Sequence, residues 1–239
     1  LHSALSLKSI DFRYNQAEEL LLSLQKADKG SGIFQVYDDQ ALSQEFDLFA
    51  KWFVGRLLGL QIEAVDISML EELRSHLVNT ALCQPQVLVH RDYHSRNLMV
   101  LSNDQLGIID FQDAVIGPIT YDLVSLLKDC YISWPRHIVI SRVANYKKQL
   151  TDAGLLSDMD SKAFLGWFDL MGLQRHIKVL GIFARLALRD EKPAYLKDLP
   201  LVIGYVAETA AHYPQIAKFS HWFEANIMPK VRQQTWFGR

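Results

Sequence analysis

Two stretches decide how this chain folds: Val89-His90-Arg91-Asp92-Tyr93-His94-Ser95-Arg96-Asn97-Leu98 and Ile108-Ile109-Asp110-Phe111-Gln112-Asp113. Three short apolar runs frame them: Val87-Leu88-Val89, Leu98-Met99-Val100-Leu101 and Leu106-Gly107-Ile108-Ile109, with the turn-like Ser102-Asn103-Asp104-Gln105 between the last two. Such runs predict three short strands, the last two forming a hairpin. Polar residues fall at the strand edges: Asp92 follows one strand, Asn97 begins the next and Asp110 ends the third. Loops at strand edges, held by a rigid scaffold, are where chemistry is usually placed. A turn through 102–105 pairs Leu101 with Leu106 and, in the same register, Asn97 with Asp110, their Cβ atoms about 5.5 Å apart. An amide oxygen and a carboxylate so placed are hard ligands suited to Mg²⁺. Asp92 lies across one tight loop from Asn97, faces the same point and is free to accept a proton. This is the layout that phosphoryl transfer requires: a cation to neutralise phosphate charge, and a carboxylate to orient and deprotonate an acceptor hydroxyl.

Elsewhere the periodicity is helical. Leu20, Leu21 and Leu24 mark a helix over 17–27, closed by Gly30-Ser31-Gly32 as C-cap and turn. Leu42, Phe46, Phe49, Phe53 and Leu57 mark an amphipathic helix over 41–58. Ser68 with Glu71 three residues later has the form of a capping box, starting a helix towards Leu82. Further helical patterns cover 122–130, 136–151, 163–188 and 201–213. There is no internal repeat, low-complexity tract or flexible linker. The expected fold class is therefore α+β, mainly α: one domain over 1–239, with a catalytic segment at 86–118 and a helical remainder.

Composition narrows the function. The 239 residues suffice for a real core, and 25 basic against 27 acidic residues give a net charge of −2. That balance offers no electrostatic reason to seek nucleic acid or an anionic membrane. No apolar run approaches the roughly 20 residues of a bilayer span. Cys83 and Cys130 fit neither a disulfide framework nor a metal-ligand spacing, so a reducing cytoplasm is the expected location. The chain opens Leu1-His2-Ser3 rather than with Met, and part of the natural protein is expected to be missing there unless the start is processed.

His90-x-Asp92-x-His94-x-x-Asn97 with Ile109-Asp110-Phe111 resembles the catalytic and metal segments of the aminoglycoside phosphotransferase and choline kinase-like superfamily, relatives of the protein kinases. Gly117-Pro118-Ile119-Thr120-Tyr121-Asp122-Leu123 resembles the segment that follows the metal Asp in that superfamily. The wording of 111–114, 129–136 and 173–185 is most similar to bacterial kinases that phosphorylate the anomeric hydroxyl of N-acetylmuramic acid and N-acetylglucosamine in cell-wall recycling. The resemblance implies a protein-kinase-like C-terminal lobe with ATP and Mg²⁺ as cofactors and a small-molecule acceptor. It says nothing of oligomeric state. The glycine-rich loop, strand Lys and helix Glu of an N-terminal β lobe are not found, so that lobe is expected to be absent and the isolated chain to be nearly inert.

Within this resemblance Asp92 is the expected base, and Asn97 and Asp110 the Mg²⁺ ligands. His90 and Asp122 are expected to support the catalytic loop, Asp122 by accepting backbone N–H groups near Arg91 and Asp92. His94 and Asp113 are candidate acceptor contacts. Tyr131, Trp134 and Arg136 make a candidate sugar platform, the aromatic faces stacking on a ring and Arg136 holding a carboxylate. Arg175, His176, Lys178 and Arg185 are expected on a solvated helix face, with an acceptor-pocket role second. Three other functions stay open: an aminoglycoside- or choline-type kinase, a metal hydrolase or oxygenase using His90, Asp92 and His94 as a facial set, and a non-catalytic pseudokinase-like binding module.

Overall fold

The computed structural model describes residues 1–5, 10–30 and 32–238. In chain order the principal elements are α1 (Ile10–Lys26), β1 (Gln35–Val36), α2 (Asp39–Leu48) running into a π-helical stretch (Phe49–Leu57), α3 (Ala64–Leu82) and β2 (Gln86–Val89). There follow β3 (Leu98–Val100), β4 (Leu106–Ile108), β5 (Val115–Pro118), α4 (Tyr121–Leu127), α5 (Arg136–Asp152), α6 (Ser161–Leu188) and α7 (Leu199–His212). The end of the chain forms α8 (Ala217–Trp222), a π turn (Phe223–Ile227) and α9 (Met228–Val231). Two compact units result, Leu1–Asp38 with Ala81–Asp169 and Asp39–Thr80 with Leu170–Arg239. No described helix is long and apolar enough to cross a membrane.

The first unit holds the sheets. β5 sits centrally, antiparallel to β2 and parallel to β1. Val87, Leu88 and Val89 are all buried, which explains a continuous apolar run rather than an alternating one. α1 packs on β2 and presents Ile10, Tyr14, Ala17 and Leu21 to the core at the three- and four-residue spacing of one helix face. Polar links fix this packing: the Gln25 amide donates to the Ile119 carbonyl (2.9 Å), and Tyr146 on α5 donates to Gln25 Oε1 (2.9 Å). Arg142 on α5 is buried beside Tyr14 and donates to Glu18 Oε1 (2.9 Å) and Asp11 Oδ1 (2.8 Å).

β3 and β4 form a separate hairpin in which Val100 faces Leu106 and Leu98 faces Ile108. The expected register is thus corrected by one residue. The cause is the turn: the Leu101 amide donates to Gln105 O (2.8 Å), the Asp104 amide donates to Leu101 O (3.0 Å), and Asp104 takes a left-handed φ of 63°. Asp tolerates that conformation, and the turn consumes one residue fewer than a 102–105 loop would. Asn97 is therefore opposite Ile109, whose amide donates to Asn97 O (3.1 Å).

Two other expectations change. Ser68 lies inside α3, not at its cap, because Asp66 in the first turn accepts from the Glu63 amide (3.3 Å) and lets the helix begin at Ala64. Gly30 is not a C-cap, since α1 ends at Lys26; it stands in a turn beyond the helix at a φ of 57°, its amide donating to Asp28 Oδ1 (3.2 Å), while Ser31 lies outside the described residues.

The second unit is helical. Its part of α6 is buried nearly all round, so the face expected to be solvated is not: Arg175, His176 and Lys178 are all buried. His176 stacks on Tyr205 at 4.8 Å, and Lys178 pairs with Glu45 at 2.8 Å. Gly181 lets α6 meet the junction of α2 and its π-helical extension. A Cβ there would lie 2.6 Å from the Leu48 carbonyl oxygen and the Phe49 amide nitrogen. Ala outranks Gly in a helix by about 1 kcal/mol, yet backbone cannot yield as a side chain can, and overpacking costs about 1–3 kcal/mol. Gly181→Ala is therefore expected to lower the melting temperature by several degrees; a thermal melt showing stabilisation would contradict the close approach.

Candidate active site

Residues 90–97 leave β2 and return to β3 through a tight turn whose shape is set by buried carboxylates. Asp122, in the first turn of α4 and fully buried, accepts from the His90 amide (2.7 Å) and the Arg91 amide (3.0 Å). Arg91 is thereby held at φ 74°, a conformation costly for a residue with a Cβ. At the other end of the turn the Ser95 amide donates to Asp129 Oδ2 (3.0 Å), and the Ser95 hydroxyl donates to the same oxygen. Tyr93 closes the turn from below, donating to Ala17 O at 2.8 Å. Asp129 was not foreseen. The available signal was a second carboxylate two helical turns beyond Asp122 in the apolar run 121–130.

These anchors leave the polar side chains above. Asp92 is exposed, and its carboxylate has no hydrogen-bond or ion-pair partner among the described residues. Its carbonyl accepts from the His94 amide (2.9 Å) and from Asn97 Nδ2 (3.1 Å), which directs the Asn97 amide oxygen away from the turn. Asp110 is exposed at φ 69°, just beyond β4, and accepts from Gln112 Nε2 (2.7 Å). That left-handed residue takes Asp110 out of the strand alternation, so the register correction does not by itself carry it to the far face of the hairpin.

His90 joins the turn to the hairpin. Its Nε2 donates to Ile109 O (3.0 Å), and the Asp92 and Asp110 carboxylates both act on its ring. Burial pushes the imidazole below its ordinary value, outweighing the Ile109 carbonyl and the two carboxylates, which pull it upward. The ring is neutral near pH 7, and its lowered pKa means the unfolded chain takes up the proton first. His90 therefore contributes full stability above about pH 6.5, and loses it as pH falls from there towards the folded-state value. His90→Gln keeps a donor for Ile109 and removes this titration. Its unfolding free energy from urea titration should fall less steeply below pH 6.5 than that of the wild type, by at most about 1.4 kcal/mol per pH unit; parallel profiles would contradict the assignment.

Asn97 and Asp110 offer an amide oxygen and a carboxylate, a donor set that fits Mg²⁺, which keeps several waters and phosphate oxygens in its shell. Among the described residues no three His, Cys, Asp or Glu side chains form a group able to hold a metal. The alternation of His90, Asp92 and His94 thus does not close into a facial set.

The other candidates divide. His94 meets the Tyr131 ring edge-on at 5.5 Å, and the Arg96 guanidinium lies over the same ring at 3.3 Å, so Tyr131 adjoins the 90–97 turn. Trp134 instead donates to the Tyr14 hydroxyl at 2.7 Å. Arg136 forks onto Asp169 (2.9 and 2.6 Å), which also receives Lys128 at 3.0 Å. Burial alone would raise the Asp169 carboxyl, but Arg136 and Lys128 hold it below its ordinary value. The carboxylate expected to sit on Arg136 is thus one of the protein's own. Asp113 is exposed and lines a cleft of about 370 Å³ with Phe34, Gln35, Arg91 and Gln112.

Comparison with known proteins agrees with this architecture. The N-acetylmuramate/N-acetylglucosamine kinase of Pseudomonas aeruginosa is 42% identical over 208 residues, covering 87% of this chain and 61% of the relative. The chain thus spans about three fifths of that relative's length. An ADP-bound aminoglycoside phosphotransferase superposes with a TM-score of 0.53 at 18% identity, over 86% of this chain and 66% of the other. A Plasmodium vivax ethanolamine kinase superposes with a TM-score of 0.60 at 14% identity, over 90% and 63%. The fold is that of the protein-kinase-like phosphotransferases. Residues 13–164, which contain the whole turn and hairpin, match the phosphotransferase enzyme family (APH), and the chain belongs to that family.

Proposed function

We propose that this chain carries the catalytic centre of an ATP- and Mg²⁺-dependent phosphotransferase whose acceptor is a hydroxyl of an amino sugar, and that residues 1–239 act as the C-terminal lobe of that enzyme. The reading is supported by the contacts that tie the turn to the hairpin: Asn97 Nδ2 donates to the Asp92 carbonyl, and His90 Nε2 donates to the carbonyl of Ile109, the residue before Asp110. Asn97 Oδ1 and the Asp110 carboxylate would hold Mg²⁺, which supplies neutralisation of phosphate charge when bound. Asp92 accepts the proton of the acceptor hydroxyl as that oxygen bonds to the γ-phosphorus of ATP, the bond from this phosphorus to the β,γ-bridging oxygen breaks, and ADP leaves. The neutral His90 ring keeps Ile109, and with it the approach to Asp110, fixed against the turn. Asp122 and Asp129 prevent the turn from relaxing as charge moves.

The amino sugar is favoured by the Pseudomonas relative, whose name gives N-acetylmuramate and N-acetylglucosamine as its substrates. ³¹P spectroscopy of the full natural polypeptide with ATP, Mg²⁺ and, separately, N-acetylmuramate, N-acetylglucosamine, choline and an aminoglycoside tests the reading. A new phosphate-ester resonance with the amino sugars is expected. Ester formation with choline or the aminoglycoside alone would replace the acceptor class, and no ester with any of them would favour a binding module.

A further inference from the structure

Resting on the amino-sugar reading, we infer that Arg96, stacked on Tyr131, is a carboxylate subsite for the acceptor and separates acidic from neutral amino sugars. The two sugars named for the Pseudomonas relative differ in charge: muramate bears a lactyl carboxylate, and glucosamine has none. A cation close to Asp92 would engage the carboxylate of one sugar without being required to place the other. In the first unit the candidates are few. Arg136 and Lys128 are bound to Asp169, Arg142 is buried against Glu18 and Asp11, and Arg13 is paired with Asp104. Arg91 lies over Tyr37 in the cleft beside β1. Arg96 is exposed, sits on the catalytic turn itself, and has no carboxylate partner among the described residues.

Its setting is built rather than incidental. The residue before it, Ser95, and its stacking partner, Tyr131, are pinned to the two oxygens of the one buried carboxylate of Asp129, the Tyr131 amide at 3.1 Å. Arg96 therefore rests on a platform that the core holds in register with the turn. Stacking occupies the face of the guanidinium and leaves its edge, where all five N–H donors lie, open to a bidentate carboxylate. His94 braces the opposite requirement, meeting the same ring edge-on. Arg96 immediately precedes Asn97, whose amide is tied to the Asp92 carbonyl, so a carboxylate on Arg96 would orient the sugar relative to the base.

The test compares kcat/KM for N-acetylmuramate, its methyl ester and N-acetylglucosamine in the full natural polypeptide and in Arg96→Ala and Arg96→Lys. The preference for the free acid, taken against the ester and against the neutral sugar, is expected to fall about 10–100-fold in Arg96→Ala, and less in Arg96→Lys. An unchanged preference overturns the inference; so does an equal loss on all acceptors with a raised KM for ATP, which would assign Arg96 to nucleotide phosphate. A wild-type protein that phosphorylates neither sugar removes the amino-sugar reading itself, an outcome visible before any variant is made.

Discussion

Asp92→Asn lowers kcat for phosphoryl transfer about 10²–10⁴-fold, the usual range for loss of a general base, and leaves the melting temperature within about a degree of wild type. The two halves of this expectation come from different atoms. The Asp92 carboxylate is exposed and has no partner among the described residues, so exchanging it for an amide disturbs no packing. The turn depends on the Asp92 carbonyl, which still accepts from the His94 amide and from Asn97 Nδ2 in the variant. Substrate affinities should change little, since the proton moves only as the new bond forms. Steady-state kinetics with a parallel melt decides the matter. Unimpaired turnover would remove Asp92 from the mechanism, and a large loss of stability would show that the residue holds the fold instead.

Asp122→Ala gives the opposite signature, losing stability and rate together. The substitution strands two amides, the buried one of His90 and the part-buried one of Arg91, each costing about 1–3 kcal/mol when left without an acceptor. In a chain of this size the sum, about 2–6 kcal/mol, lowers the melting temperature by roughly 10 °C. Arg91 no longer has a reason to stay at φ 74°, and the turn carrying Asp92 drifts. A misplacement of about 1 Å can cost 10²-fold in rate, so kcat should fall by at least that much. Asp122→Asn retains one acceptor oxygen and should lie between the two on both measures. A variant that melts as wild type does, or that is destabilised with undiminished kcat, would separate the α4 carboxylate from the geometry of the turn.

What could be read from the chain alone follows from how local each signal is. The strands at 86–89, 98–100 and 106–108 announced themselves because apolar runs and a polar turn lie within a few residues of each other. β5 did not, since Val115-Ile116 is followed by Gly117-Pro118 and its pairing partners lie some 30 and 80 residues away. The register of the hairpin depended on one φ angle at Asp104, which no side-chain pattern reveals. The turn's second anchor, Asp129, and the burial of Arg175, His176 and Lys178 are likewise products of tertiary packing. By the usual rule long charged side chains belong to solvent, and here Glu45 and the Tyr205 ring supply the partners that reverse it for Lys178 and His176. The spacing of Asp92, Asn97 and Asp110 was legible because these residues occupy a continuous stretch between strand ends. The pairing of Arg136 with Asp169 was not, because Asp169 approaches it from another helix.

In the proposed site Asn97 and Asp110 share one cation beside Asp92. A crystal structure of the full natural polypeptide with Mn²⁺ and a non-hydrolysable ATP analogue, read at the manganese edge, tests it without reference to turnover. A single anomalous peak within about 2.5 Å of both Asn97 Oδ1 and an Asp110 carboxylate oxygen is expected, with the Asp92 carboxylate on the side open to the acceptor. A manganese ion bound elsewhere, or Asn97 and Asp110 turned to separate surroundings with nucleotide present, would contradict it.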